Sequence, residues 1–175
     1  MMTVMRCVCG GVLLALTAGV VQAHDGQVNI SGLITDNTCS VSPDSKDFTV
    51  EMGNVSARTF YQAGGGTRYE PFAIHLEKCG GAASGITVTF DGPTDALNPD
   101  LLALNGGTDY ATGIGVAIYN QDKTLIPVGK ESEQAPLTPN QEEATLSFYA
   151  NYIADGGNVT AGTANASATF MLTYA

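Results

Sequence analysis

Apolar and polar residues alternate with period two in four stretches of the chain. They are Phe72, Ile74 and Leu76; Ile86, Val88 and Phe90; Ile114, Val116 and Ile118; and Ala144, Leu146, Phe148, Ala150 and Tyr152. Successive side chains of a strand point to opposite faces, so each set predicts a strand buried on one side. Between them stand Asp91-Gly92-Pro93, Asn105-Gly106-Gly107, Thr138-Pro139-Asn140 and Asp155-Gly156-Gly157, residues that supply the positive or fixed φ a turn requires. Residues 97–104 carry a weak helical pattern and read as a loop with a helical turn. Strands at this spacing without intervening helices predict an all-β domain, a sandwich of the immunoglobulin kind rather than a parallel sheet.

The termini extend the pattern. Gly162, Ala164, Ala166, Ala168, Phe170, Leu172 and Tyr174 occupy every second position and stop one residue before the chain ends. At the other end Val28, Ile30, Gly32 and Ile34 alternate with Gln27, Asn29, Ser31 and Leu33. A strand stands spare at the front, and none follows the last one. Two readings of the front strand remain open: it pairs within its own domain as a first strand, or it completes the edge of another molecule by β-augmentation.

Composition restricts the setting. Seven cations against 17 anions among 175 residues give a net charge of −10, which repels nucleic acid and anionic lipid surfaces. With 14% charged and 44% hydrophobic residues, the chain still has enough apolar material to fold. Residues 1–23 carry Arg6, an apolar run and a Val21-Gln22-Ala23 ending, the layout of a secretory signal cleaved after Ala23. The run is too short and too poorly flanked for a stable membrane span. Cleavage leaves 152 residues with six cations and a net charge of −11.

Cys7 and Cys9 leave with the signal, so Cys39 and Cys79 remain as one pair in an oxidising compartment, which predicts a disulfide. A zinc or thiol site is the alternative, but neither cysteine has the histidine or cysteine neighbours such a centre uses.

These features resemble the minor pilins of type 1 fimbriae in the chaperone-usher family, and most closely the FimF-type tip adaptors. The resemblance spans nearly all of residues 24–175. It rests on the arm from Val28 to Ile34 with Gly32 at its centre, Asp36-Asn37-Thr38-Cys39-Ser40-Val41, Phe48-Thr49-Val50, Pro71-Phe72 and Cys79-Gly80. It continues through Leu101-Leu102-Ala103-Leu104, Leu137-Thr138-Pro139, Ser147-Phe148-Tyr149-Ala150 and the closing alternation to a penultimate Tyr174.

The resemblance implies a signal peptide (1–23), a donor-strand arm (24–36) and an incomplete immunoglobulin-like sandwich (37–175) of six strands that lacks the seventh. Val28, Ile30 and Ile34 would be donor side chains, with Gly32 where a neighbour's groove is shallow. Gly162, Ala164, Ala166, Ala168, Phe170, Leu172 and Tyr174 would form the acceptor groove and the edge that pairs with a periplasmic chaperone. An outer-membrane usher would then exchange that chaperone for a neighbouring subunit's arm, and the product would be an extracellular fimbrium supporting cell adhesion. The same resemblance implies no cofactor.

Three other functions compete. Catalysis finds little footing: His24 and His75 are the only histidines beyond the signal, and no nucleophile elbow or His-Glu-x-x-His pattern occurs. Asp91, Asp95 and Asp100 read as solvated loop acids rather than calcium ligands, since Pro93 and Pro99 break any EF-hand spacing. A secreted carbohydrate-binding sandwich would draw on Tyr61, Tyr69, Tyr110, Tyr119, Tyr149, Tyr152 and Tyr174, most of which lie in alternating strands where packing explains them. Fimbrial adhesins carry a lectin domain ahead of the pilin domain, and residues 24–38 leave no room for one. A third alternative is another pilin class, the major rod subunit.

Overall fold

The computed structural model divides into two units, residues 1–33 and 34–175. Residues 31–32, 38–61 and 65–175 are described. The signal (1–23) and most of the arm (24–36), including Val28, Ile30 and Ile34, lie outside the described residues.

Among the described residues of the second unit, eight strands form two antiparallel sheets. They are β1 (Ser40–Val41), β2 (Glu70–Glu77), β3 (Gly85–Asp91), β4 (Ile114–Tyr119), β5 (Leu125–Ile126), β6 (Ala135–Pro136), β7 (Glu143–Ala154) and β8 (Thr169–Tyr174). One sheet runs β1-β2-β7-β4-β5 and the other β6-β3-β8. All four stretches chosen by alternation are strands: β2, β3, β4 and β7. Five long strands and three two-residue pairings stand where six strands were expected; a pairing that short leaves no periodicity in the sequence.

The alternation decides the layers. Ile74, Leu76, Ile86, Val88, Phe90, Ala144, Leu146 and Phe148 point inward and form one buried cluster, as expected when two sheets bury one face each. At its centre Phe90 lies edge-on to Phe148, with ring centroids 5.1 Å apart, and Phe72 lies 5.6 Å from Phe148 and 6.0 Å from Phe90. Two of the four expected turns take a positive φ, 57° at Asn140 and 102° at Gly156, whereas Gly92, Gly106 and Gly107 do not.

Two segments depart from the pattern. Residues 97–104 contain no helix. Asp95 accepts the N–H groups of Leu97 and Asn98 through Oδ1, Pro99 follows, and the loop instead delivers Leu102 to a two-way backbone pairing with Val116. The C-terminal alternation becomes a strand only from Thr169. Before that, Gly162 passes so close to the backbone of Tyr110 and Ala111 that a Cβ would stand 2.4 Å from it, and Tyr110 and Thr112 form isolated bridges with Thr163 and Thr160.

Cys39 and Cys79 are disulfide-bonded, 40 residues apart. The bond ties the start of β1 to the residues just after β2, neighbours in the same sheet. Closing a loop of that length stabilises by about 3–4 kcal/mol in the chain-entropy estimate. Reduction should therefore lower unfolding stability by about that much, and Phe148→Ala by about 3–5 kcal/mol; denaturant titration with and without reductant measures both.

Candidate functional site

Among the described residues, β8 is the longest of the strands that end a sheet. It pairs with β3 from Ile86↔Tyr174 to Asp91↔Thr169, and it lies at the end of its sheet. Its other edge has no strand partner among the described residues. Unpaired N–H and C=O groups along a strand are a template for another strand.

Side-chain burial agrees with an uncovered edge. Ile86, Val88 and Phe90 are almost fully buried, whereas Tyr174, Leu172 and Phe170, their register partners on β8, are only half-buried. Ala164 and Ala166 are half-buried too, while Gly162 and Ala168 are exposed. The five apolar side chains thus share one partly covered face. Gly162 serves the crossing over Ala111, and Ala168 is open to solvent.

A second unpaired segment accompanies the first. Residues 46–55 make no backbone hydrogen bond among the described residues. Val50 and Met52 are half-buried, and Phe48 is 38% exposed. A relay of rings joins the two edges: Phe48 lies 6.0 Å from Phe72, which lies 6.0 Å from Phe90, the register partner of Phe170. Met52 packs on the same buried cluster as Ala164, and neither Phe48 nor Met52 was among the expected groove residues. The period-two spacing of Phe48, Val50 and Met52 was visible, but a short run flanked by Asp47 and Gly53 does not by itself show what it faces.

Each end of the gap is defined. At the disulfide end, the Tyr174 hydroxyl donates to the Cys39 carbonyl at 3.1 Å. At the other end, Gly53, Asn54 and Val55 face Gly162, Thr163, Ala164 and Asn165 across a cleft of about 470 Å³ floored by Phe60, Ile114 and Tyr152. The Tyr152 hydroxyl donates to the Ala164 carbonyl at 2.5 Å, and burial raises its pKa. Of the expected donor residues only Gly32 is described, and it is exposed.

Residues proposed for other chemistry have local roles. His75 Nδ1 lies 2.8 Å from Asp44 Oδ2, and this hydrogen bond holds the Asp44 carboxyl below its ordinary range. Asp91 and Asp95 accept N–H groups of their own turns. On the outer face of the larger sheet, the rings of Tyr69 and Tyr119 meet edge-on at 4.9 Å and those of Tyr69 and Tyr149 at 6.1 Å, with Lys123 Nζ 5.0 Å from Tyr69. A cation already lies against the tyrosines that a sugar would stack on.

Burial, reinforced by Tyr69, pushes the Tyr119 hydroxyl up to about 12. The fold thus favours its neutral form, so this contribution to stability is intact below the ordinary tyrosine value of about 10 and is lost as pH rises from there towards 12. Tyr119→Phe should flatten the alkaline decline in stability between pH 10 and 12, as measured by denaturant midpoints; an unchanged slope would reject this assignment.

Comparison with known proteins gives a consistent set. The family model described as "Fimbrial protein" matches residues 28–175. An uncharacterised fimbrial-like protein of Escherichia coli K12, YcbV, is 40% identical over 163 residues, 93% of this chain and 94% of its own length. Among solved structures, the P pilus rod subunit PapA is similar at a TM-score of 0.67 and 27% identity, over 78% of this chain and 99% of that one. A subunit from the structure of a chaperone-usher pilus is similar at 0.65 and 27%, over 90% and 100%.

Proposed function

This chain belongs to the fimbrial protein family, and from that premise we propose that it is an adaptor subunit of a chaperone-usher fimbria, polymerised by donor-strand exchange. The observation that carries the proposal is the unpaired edge of β8, with Phe170, Leu172 and Tyr174 half-buried above an aromatic floor. Its acceptor is the gap between that edge and residues 46–55, taking in Ala164 and Ala166. A neighbouring subunit's strand fills it in the fibre, and a periplasmic chaperone's strand fills it before the usher makes the exchange. Val28, Ile30 and Ile34 do the same for the next subunit's groove, and Gly32 sits where that groove is shallow.

The energetics are of the right size. Burying Val28, Ile30 and Ile34 at about 1.5–3 kcal/mol each gives about 5–9 kcal/mol before main-chain hydrogen bonds, comparable with the stability of a whole domain at about 5–15 kcal/mol. A groove left empty forfeits that contribution and presents an aggregation-prone edge. Export to a surface fibre also suits a chain whose negative charge keeps it soluble.

A second reading, the major rod subunit, is favoured by the likeness to PapA, itself a rod subunit. Immunogold labelling of intact fibres separates the two: an adaptor is confined to one or a few copies near the tip, and a rod subunit is labelled along the whole length.

Donor-strand exchange itself is tested on the arm. With residues 24–36 deleted, the chain should still form a chaperone complex on co-expression but should not donate to a fibre, and Gly32→Leu should block insertion in the same way. If the deleted chain unfolds, the arm belongs to its own domain and the proposal is wrong; a Gly32→Leu chain that assembles as well as the parent removes the role given to Gly32.

A further inference from the structure

Near Tyr174 the β8 edge is joined to the start of the larger sheet's outermost strand, β1. Its hydroxyl donates to the carbonyl of Cys39 at 3.1 Å, a part-buried bond between residues 135 apart in sequence. The donor is the last residue of β8 in the smaller sheet, and the acceptor immediately precedes β1 in the larger sheet.

Both partners are independently held. The chain end is fixed to β3, since Ala175 donates to the Gly85 carbonyl at 3.0 Å and receives bonds from the Ser84 N–H at 2.9 Å and the Ser84 hydroxyl at 3.0 Å. Cys39 is fixed by its disulfide to Cys79, and the Gly80 N–H donates to the Thr38 carbonyl beside it at 3.0 Å.

We propose that Tyr174 is a positioning residue for strand insertion: its hydroxyl is a strut from the β8 edge to the disulfide-anchored edge that fixes their separation at one end of the acceptor and closes that end. The inference rests on the donor-strand reading above. The strut matters because the bond from Tyr152 to Ala164 holds the other end and, among the described residues, no hydrogen bond ties the β8 edge to residues 46–55 between them. Residues 46–55 make no backbone hydrogen bond among the described residues, so the spacing of the two edges along an empty groove depends on what holds its ends. Tyr174 thus has two roles: its ring packs on the core, and its hydroxyl sets the width.

Tyr174→Phe keeps the ring and removes only the strut. In the secreted chain, amide exchange should accelerate roughly two- to tenfold, the range one net hydrogen bond supports, on both sides of the gap: at Leu172 to Ala175 and at Ser40 and Val41. Amides of β4 and β7 should be unaffected. The effect should shrink when Cys39 and Cys79 are both replaced by Ala, because the acceptor carbonyl then loses its anchor. If that double variant does not fold, the response of Ser40 and Val41 to Tyr174→Phe alone decides. Acceleration confined to the β8 side, or absent, overturns the strut. Neither outcome bears on donor-strand exchange, which the arm deletion and Gly32→Leu test separately.

Discussion

An exposed strand edge above an apolar floor is the constraint around which this structure is arranged. β8 has satisfied one side of its backbone on β3 and left the other without a strand partner among the described residues. Ile86, Val88 and Phe90 are buried while Tyr174, Leu172 and Phe170 opposite them are half-covered, so burial changes abruptly between adjacent strands of one sheet. Unpaired backbone and half-buried apolar side chains both call for one more strand. That coincidence is why the proposed function is assembly.

The surroundings preserve that edge. The disulfide fixes the β1 side, Tyr174 ties it to the β8 side, and β2, β7 and β4 pair side by side in the larger sheet. The cluster Phe72, Phe90 and Phe148 lies beneath and forms its floor. At the far end Gly162 permits a crossing that no side chain would tolerate, and the cleft opens beside it.

Much of this was readable in advance. Period-two alternation placed β2, β3, β4 and β7, because a sandwich strand buries one face and the sequence records that directly. The cysteine pair was readable too, since only two cysteines lie beyond residue 23. The inward face of β8 could be named from Phe170, Leu172 and Tyr174. The contacts of Phe48 and Met52 were missed, and the length of β8 was overestimated: alternation reports which residues share a face, not whether the backbone is paired.

The sequence by itself determined the class of fold, the faces of the long strands, the disulfide and the chain's acidity, because each follows from local periodicity or from counts. Only the tertiary structure decided that β8 lies at the edge of its sheet, that residues 46–55 make no backbone pairing among the described residues, and that the Tyr174 hydroxyl reaches Cys39. These are relations between segments up to 135 residues apart. Local periodicity carries no information about them, because which strand is left without a neighbour is fixed by how the two sheets pack.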